Sequence, residues 1–324
     1  MRALLCREYG PPETLVMGEV AAPMAQPGEI LVDVAFASLN FMDTLIIQNK
    51  YQVKPPLPFS PGAEFSGHVS ALGAGVTGFA IGERVAGFTG YGCARAQVAC
   101  PAVQAFVLPA GVPLDKAAGL CVTYGTTLHA LKQRAHLKKG ETLAVLGASG
   151  GVGLAAVEIG ALMGAQVIAC ASSPEKLDFA MGAGASQAID YSRTSLKDAL
   201  KAATGGRGVD VIYDPVGGAL SEAALRAIAW EGRHLVIGFA AGEIPRIPLN
   251  LALLKSCDIV GVFWGEFVRR SPSVHMANMA QIAGWVAGGK LSAHVHAVYP
   301  LAEAAAALGV LTRREALGKV LLKL

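Results

Sequence analysis

A cluster of glycines is the stretch of the sequence best suited to chemistry. Residues 147–153 read Gly-Ala-Ser-Gly-Gly-Val-Gly and lie between an apolar run at 143–146 and a helical pattern at 154–163. Glycines permit a tight turn and let a pyrophosphate approach the backbone, and the N-terminus of the next helix offers N–H groups to that anion. A flexible loop is the alternative, and the glycine order departs from the usual G-x-G-x-x-G. The strand and helix patterns on either side favour a dinucleotide site.

The end of the next predicted strand bears on the type of dinucleotide. That strand covers residues 166–169 and is followed by Ser172, Ser173 and Lys176. A site for an unphosphorylated dinucleotide usually has Asp or Glu at this point, where it binds the ribose hydroxyls. Hydroxyl groups and a cation instead suit a 2′-phosphate, so we expect NADPH rather than NADH. The two serines could also cap the helix that begins at Pro174, and the two roles are compatible.

The elements that would position these residues fall into two groups. Residues 29–37, 62–72 and 83–88 have the pattern of short strands separated by Gly and Pro, which indicates a compact barrel-like domain. A helical pattern at 114–130 leads into the glycine cluster. After the cluster, strands and helices alternate, as is typical of a parallel sheet covered by helices.

Composition and charge exclude several other classes of protein. The chain has 324 residues, 53% of them hydrophobic and 16% charged, with a formal net charge of +3 and no cluster of Lys or Arg. This length allows two domains with separate cores, and the charge gives no reason to expect a nucleic-acid partner. Glu158 and Gln166 interrupt the apolar stretch at 143–171, which we interpret as buried strands and helix rather than a membrane span. The first residues lack the apolar core of a signal peptide.

The cysteines and histidines form no pattern typical of a metal site. The six cysteines contain no C-x-x-C pair, and none lies at metal-ligand spacing from one of the seven histidines. His294 and His296 alternate along a predicted strand, and we expect a structural role for them rather than metal binding. Scattered free thiols suit a reducing compartment, so we expect a cytoplasmic protein.

Several motifs resemble those of one enzyme family and are spread over the whole chain. They are NFMD at 40–43, KY at 50–51, PGAEFSG at 61–67, the glycine cluster at 147–153, GGRGVD at 205–210, YDPVGG at 213–218 and the segment 232–239. With these motifs the chain resembles the medium-chain dehydrogenase/reductase superfamily, and within it the zinc-independent quinone oxidoreductases related to ζ-crystallin. The resemblance implies an α/β protein with a GroES-like β-rich barrel domain at 1–123 and 266–324, and a Rossmann doubly wound parallel-sheet domain at 124–265.

Two departures separate the chain from the zinc-dependent relatives in that superfamily. Those relatives carry Cys near the position of Asn40 and a His-Glu pair where this chain has Ala63 and Glu64. Alanine has no metal-binding atom, and an amide is a poor zinc ligand beside a thiolate or an imidazole. We therefore expect no metal site and no zinc-assisted alcohol oxidation.

The resemblance implies hydride transfer from NADPH to a quinone or a similar conjugated acceptor. In this family the positions of Asn40 and Tyr51 lie near the nicotinamide, so both are candidate catalytic residues that could hydrogen-bond the acceptor oxygen. Tyr51 could also relay a proton. The structural alternatives are that Asn40 caps the helix predicted at 41–47 and that Tyr51 only packs under the proline-rich segment at 54–58. We expect Asp43 to be structural.

The same resemblance implies cofactor contacts residue by residue. The expected phosphate cradle is Ser149, Gly150, Gly151, Val152 and Gly153, and the expected 2′-phosphate site is Ser172, Lys176 and Tyr191. The other expected cofactor contacts are Thr126, Phe239, Phe263, Gly265, Arg314 and Lys319. For Tyr191 and Arg314, a structural surface role is the alternative.

The resemblance also implies a homodimer that pairs through the edge strand from Asp258 to Val262, since an unpaired apolar edge invites aggregation. Two other functions stay open at this stage. One is an NADPH-dependent reductase of enones, alkenals or enoyl thioesters, which uses the same hydride chemistry. The other is a protein that binds NADPH without catalysis.

Overall fold

The computed structural model describes residues 1–324, and the chain divides into two compact units. Unit 1 consists of Met1–Gly125 together with Gly265–Leu324, and unit 2 is Thr126–Trp264. The β-strands in chain order are β1 (Arg2–Leu5), β2 (Val16–Glu19), β3 (Glu29–Leu39), β4 (Glu64–Leu72), β5 (Arg84–Phe88), β6 (Gln97–Pro101), β7 (Ala105–Val107), β8 (Thr142–Leu146), β9 (Gln166–Ala171), β10 (Gln187–Asp190), β11 (Val209–Asp214), β12 (Ile228–Val236), β13 (Asp258–Gly261), β14 (Val295–Pro300) and β15 (Lys319–Lys323).

The α-helices in chain order are α1 (Phe41–Ile46), α2 (Leu114–Ala118), α3 (Gly125–Leu128), α4 (Gly151–Leu162), α5 (Pro174–Gly182), α6 (Leu196–Ala203), α7 (Gly218–Leu225), α8 (Asn250–Lys255), α9 (Trp264–Arg270), α10 (Pro272–Ala287) and α11 (Ala304–Thr312). Short 3₁₀ turns lie at Pro12–Thr14, Ala102–Gln104 and Leu301–Glu303. None of the helices combines the length and the apolar character that crossing a membrane requires.

A seven-stranded sheet forms the body of unit 1. Its strand order is β14-β15-β3-β4-β5-β7, and β6 also pairs with β3. All these pairs are antiparallel except β14 with β15, and β1 forms a separate antiparallel pair with β2. Strand β15 lies next to β3, so the C-terminal segment completes the sheet that the N-terminal segment begins. This arrangement confirms the expected GroES-like domain.

Strand β3 holds this sheet together because its eleven residues pair with three other strands. Ile30, Val32 and Leu39 are buried in the core, as the alternation of apolar residues predicts. Its register with β4 shifts at two places, and such irregularities bend a strand. The bend lets the first half of β3 pair with β6 while its second half pairs with β15.

The helical run before the glycine cluster differs from a simple α-helix. Helix α2 leads into a π-helical segment at Leu120–Tyr124, and α3 leads into a second one at His129–Arg134. The apolar pattern predicts a helix here, but it does not distinguish the wider π turn from the α turn. The first π segment turns the backbone N–H of Val122 toward the side chain of Glu64.

Unit 2 is a six-stranded parallel sheet with helices between its strands. The strand order is β10-β9-β8-β11-β12-β13, and every neighbouring pair is parallel. The order reverses between β8 and β11, which is the point where open parallel sheets of this kind bind ligands. The sheet confirms the expected Rossmann architecture, and β13 is one of its two edges.

Candidate active site

The glycine turn of unit 2 forms a tight connection from strand to helix. All five residues of β8 are buried, and Gly147 follows them with a φ of +62°, a conformation that favours glycine. The backbone carbonyl of Gly147 accepts a hydrogen bond from the N–H of Gly150, the N-cap residue of α4. A Cβ at position 153 would lie 2.1 Å from the Gly147 oxygen. Glycine at 153 therefore allows the first turn of α4 to lie directly against the end of β8.

The start of α4 has the features of a phosphate site. Its N-cap residue is glycine, and no side chain caps the first turn, so the N–H groups there have no intrahelical partner. A Cβ built on Gly150 would meet only the Gly147 oxygen, at 3.6 Å. This open space lets a diphosphate reach the backbone N–H groups at the positive end of the helix. The turn therefore has both the space and the N–H donors that the pyrophosphate of a dinucleotide requires.

The expected 2′-phosphate residues converge at the ends of two adjacent strands. Strands β9 and β10 pair in parallel and end together at Ala171 and Asp190. The N–H of Tyr191 donates to the carbonyl oxygen of Ala171 at 3.1 Å, so Tyr191 lies beside the exposed Ser172. Lys176 is in the first turn of α5. The sheet therefore brings Ser172, Lys176 and Tyr191 together at the carboxyl ends of β9 and β10.

Ser173 has the capping role that the sequence predicts. It is the N-cap residue of α5, and its hydroxyl accepts the N–H of Lys176 at 3.4 Å. Ser172 makes no part of this cap, and its side chain is exposed. The two hydroxyls therefore have separate environments, one engaged with the helix and one facing solvent at the strand end.

Thr127, which is not among the expected site residues, connects the helical run to the first turn of α4 and lies next to the expected cofactor contact Thr126. Thr126 is 9% exposed at the start of unit 2. Its neighbour Thr127 is fully buried; its hydroxyl lies 2.9 Å from that of Tyr213 and donates to the carbonyl oxygen of Val152 at 3.3 Å. Thr127 thus holds Thr126 at a fixed distance from the first turn of α4.

A buried carboxylate organises the turn after β11. Asp214 accepts hydrogen bonds from Ser221, from His234 at 3.1 Å, and from the N–H groups of Val216 and Gly217 at 2.9 Å. Burial acts to raise the pKa of Asp214, but the bonds from His234, Gly217 and Ser221 outweigh it and hold the pKa below its usual value. The carboxylate is therefore ionised at neutral pH.

The aromatic residues expected at the nicotinamide lie near this turn or at the surface. Phe239 is 36% exposed and packs over Gly217, where a Cβ would lie 2.9 Å from the Phe239 ring. Phe263 is 60% exposed and follows β13. Both side chains leave apolar surface open in unit 2.

Unit 1 contains a buried polar network centred on Asn40. The ammonium of Lys319 donates to Asn40 Oδ1 at 2.6 Å, to Glu64 Oε1 at 3.0 Å and to the carbonyl oxygen of Leu39 at 3.2 Å. Asn40 Nδ2 donates to the same oxygen of Glu64 at 3.0 Å. Glu64 Oε2 accepts the N–H of Val122 at 2.8 Å. Strand pairing explains the placement, because Val320 is opposite Leu39 and Glu64 is opposite Ser38.

Asp43 supports the same region from the first turn of α1. Its carboxylate accepts the N–H of Asn40 at 2.7 Å and the N–H of Gly62 at 3.0 Å. Burial raises the pKa of Asp43 to about 7, against the opposing effects of these two donors and of the Lys319 charge. Asp43 therefore fixes the backbone of Asn40 relative to the turn before β4, which agrees with the expected structural role.

Tyr51 is the second expected catalytic residue, and it is partly buried against the core of unit 1. Burial raises the pKa of its phenol, and the charge of Asp43 raises it further. The phenol therefore keeps its proton at neutral pH and can act as a hydrogen-bond donor.

Three expected cofactor contacts, Gly265, Arg314 and Lys319, lie in unit 1. Arg314 is exposed and has a φ of +59° after α11. Lys319 is only 4% exposed, and its three bonds to Asn40, Glu64 and Leu39 use all three ammonium protons. The structure thus gives Lys319 a place in the buried network, where no proton remains for a cofactor.

The roles of Glu64, Lys319 and Thr127 are not apparent from the sequence alone. Charged residues are almost never fully buried unless they are paired. Glu64 in the small and apolar segment PGAEFSG, and Lys319 at the start of an apolar strand, carry that signal. Their pairing depends on strands far apart in the chain, so the signal shows that each needs a partner without showing which one.

No group of three or more His, Cys, Asp or Glu side chains is placed to hold a metal ion. All six cysteines are free and buried. At the position next to Glu64, Ala63 supplies no metal-binding atom, and the Lys319 ammonium already binds the oxygens Asn40 Oδ1 and Glu64 Oε1. This donor set does not suit a zinc ion.

Comparison with protein families agrees with the two units. A model described as alcohol dehydrogenase GroES-like domain matches residues 26–144, and one described as zinc-binding dehydrogenase matches residues 151–281. With its GroES-like unit and its Rossmann sheet, the chain belongs to the medium-chain dehydrogenase/reductase superfamily.

Individual relatives define the branch. Quinone oxidoreductase-like protein 2 of Rattus norvegicus is 40% identical over 324 residues, which covers 100% of this chain and 92% of that protein. A probable oxidoreductase from Mycobacterium abscessus has 34% identity and a TM-score of 0.90 over 100% of this chain and 99% of that one. Quinone oxidoreductase of Escherichia coli, solved in complex with NADPH, has 28% identity and a TM-score of 0.93 over 100% of both chains. The chain is an oxidoreductase of the zinc-independent quinone oxidoreductase branch.

The pKa of Asp43 predicts a specific pH dependence of stability. Because the folded-state pKa of about 7 lies above the ordinary value of 3.8 for an aspartate, the folded state binds the proton more tightly than the unfolded state does. Its contribution to stability is therefore fully present below about pH 4 and is lost as the pH rises through 7. We expect the free energy of unfolding of the wild type, relative to Asp43→Asn, to fall by up to about 4 kcal/mol over this range.

Urea unfolding of both proteins between pH 4 and pH 8 measures this difference. Asp178→Asn, at an exposed position on α5, controls for the effect of replacing a carboxyl group. A relative stability of the wild type that rises with pH would show that the N–H donors, and not burial, determine the charge of Asp43.

Proposed function

We propose that the chain is an NADPH-dependent quinone oxidoreductase that works without zinc. The proposal rests on the groups that lie at the carboxyl ends of β8 and β9 in the unit 2 sheet. There the uncapped start of α4 lies beside a strand end that has a free hydroxyl at Ser172, a lysine at position 176 and no carboxylate at the end of β9. An anionic dinucleotide with a third phosphate matches these groups in charge and in hydrogen-bonding capacity.

The glycine turn would hold the diphosphate of the cofactor. The residues proposed for this cradle are Ser149, Gly150, Gly151, Val152 and Gly153. Thr126 would contact the cofactor from the helical run, because Thr127 anchors that run to Val152. Phe239 and Phe263 would supply apolar surface for the nicotinamide ring. Gly265 and Arg314 stay proposed contacts from unit 1.

The strand-end residues would select the phosphorylated cofactor. Lys176 supplies a positive charge, and the hydroxyls of Ser172 and Tyr191 can donate to phosphate oxygens. Charge-assisted hydrogen bonds of this kind are about twice as strong as neutral ones. A carboxylate at the end of β9 would instead repel the 2′-phosphate. The structure of the NADPH complex of the Escherichia coli relative supports this choice of cofactor.

The acceptor would be bound by the polar side chains of unit 1. NADPH supplies a hydride when it is bound, and the protein has to place the acceptor, exclude water and supply a proton. Asn40 would donate an N–H to the acceptor oxygen, where negative charge develops. Tyr51 would donate its phenol proton to complete the hydroquinone, so that one hydride and one proton are added. The absence of a suitable zinc donor set favours an acceptor that is electrophilic without a Lewis acid, such as a quinone.

We also propose that two copies associate through β13. This strand is an edge of the six-stranded sheet, and Ile259 on it is 40% exposed. The neighbouring helix α8 exposes Leu253 and Leu254 by 79% and 65%. An exposed apolar edge with apolar side chains beside it is a typical surface for pairing with another strand.

Sedimentation velocity tests this association. We expect the wild type to sediment as a dimer and Ile259→Lys to shift the protein to monomer, because the charge would be buried in the paired edge. Ile81→Lys, at a position that is 71% exposed in unit 1, is the matched control and should leave the dimer intact. A monomeric wild type would contradict the proposal.

Turnover of purified protein tests the enzymatic proposal. We expect it to oxidise NADPH in the presence of 1,4-benzoquinone or a naphthoquinone, to form hydroquinone, and to use NADH at least about tenfold less efficiently, which is the effect of about 1.4 kcal/mol. Asn40→Ala should lower kcat/KM for the quinone by about 10²-fold or more, a loss typical of removing a donor to a developing oxyanion.

Product analysis separates the competing functions. Reduction of enones to saturated ketones without hydroquinone formation would replace the proposal by an alkene reductase. Tight NADPH binding without turnover of quinones, enones or alkenals would show a binding protein.

A further inference from the structure

The buried pair of Lys319 and Glu64 fixes the orientation of the Asn40 amide. Asn40 Oδ1 faces the ammonium at 2.6 Å, and Asn40 Nδ2 faces the carboxylate at 3.0 Å. A rotation of the amide by 180° would place its NH₂ group against the ammonium and its oxygen against the carboxylate. Both contacts would then be repulsive, so the two charges leave the amide one stable orientation.

In this orientation the Asn40 amide keeps one N–H that makes no hydrogen bond within the protein. The three protons of the ammonium bond to Asn40, Glu64 and the carbonyl oxygen of Leu39. The amide of Asn40 has two N–H bonds, and its one hydrogen bond as a donor goes to Glu64. Its second N–H can therefore donate to an acceptor oxygen. The ammonium on Oδ1 also draws electron density from the amide, which strengthens that N–H as a donor.

The packing around Lys319 is specific to this arrangement. Its aliphatic chain passes under Gly119, where a Cβ would lie 2.9 Å from Cγ and 3.0 Å from Cε. Glu64 is fully buried, and its second oxygen accepts the N–H of Val122. Both charges are thus held on several sides, so neither can move away from Asn40 without leaving unsatisfied groups in the core.

Stability alone is a weak reason for such a pair. The cost of removing two charges from water often equals or exceeds the gain from their attraction, and apolar residues of similar size can be as stabilising. We propose that Lys319 and Glu64 are positioning residues, which hold the Asn40 amide so that its second N–H is presented to the acceptor oxygen. This inference rests on the proposed role of Asn40 in quinone reduction.

The test uses variants in which the charges are removed together. Lys319→Met with Glu64→Gln removes both members of the ion pair, so neither is left without its partner and this double variant should fold, as measured by circular dichroism and thermal unfolding. We expect it to bind NADPH with the affinity of the wild type, because the cofactor cradle lies in unit 2. Its kcat for quinone should fall by about 10²-fold, the effect of a misplaced catalytic group.

A mutant cycle with Asn40→Ala distinguishes positioning from a general structural effect. If the pair acts through Asn40, adding the double change to Asn40→Ala should lower kcat by less than about twofold further. A double variant as active as the wild type would overturn the inference. So would a loss that adds in full to that of Asn40→Ala.

Nuclear magnetic resonance gives a readout that does not need turnover. In ¹⁵N-labelled wild type, the Asn40 side-chain amide, assigned by its loss in Asn40→Ala, should show one proton that exchanges slowly with water, the proton bonded to Glu64. In the double variant this protection should be lost. Equal exchange in both proteins would overturn the inference even if the chain reduces no quinone. An inactive wild type that retains the protected amide would reject the proposed function and support the fixed orientation.

Discussion

The close approach of helix α4 to the end of strand β8 is the constraint on which unit 2 depends. A side chain at position 153 would collide with the carbonyl oxygen of Gly147, so only glycine lets the helix begin there. Farther along the same helix, a Cβ on Gly160 would lie 2.5 Å from Leu143 on β8. The helix therefore packs closely against β8, and it begins at the carboxyl end of that strand, the same end of the sheet at which β9 and β10 end. One local steric condition thus brings the positive end of a helix together with Ser172 and Lys176 at a single edge.

In unit 1 the candidate catalytic side chain is positioned in a different way, by charged groups buried in the core. Glu64 and Lys319 are buried and satisfied by each other, by Asn40 and by backbone groups. Such a network has one arrangement in which both charges are fully hydrogen-bonded, and it therefore specifies a unique local geometry. Asp43 adds a second set of bonds that fixes the backbone at the start of α1. A polar network of this kind can hold a side chain in place without a metal ion.

The parts of the molecule that the sequence predicts are those controlled by local chemistry. The period of apolar residues shows the strands of both units, and the glycine cluster shows the turn before α4. Ser173 beside Pro174 correctly predicts a helix cap. The features that the sequence does not predict depend on contacts between segments that are distant in the chain. Lys319 meets Glu64 across 255 positions of the chain, through a strand register that no local pattern contains. The π turns around Val122 and the bond from Thr127 to Val152 are hidden for the same reason, because they result from tertiary packing.

The direct test of the central claim is a titration of the protein with NADPH and NADH by calorimetry, for the wild type and for Ser172→Ala with Lys176→Ala. If the edge of the unit 2 sheet is a site for a phosphorylated dinucleotide, the wild type should bind one NADPH per chain and prefer it to NADH. The double variant should lose most of its affinity for NADPH and keep its affinity for NADH, because only the 2′-phosphate contacts are removed. Equal weakening of both cofactors, or no binding of either by the wild type, would contradict the account.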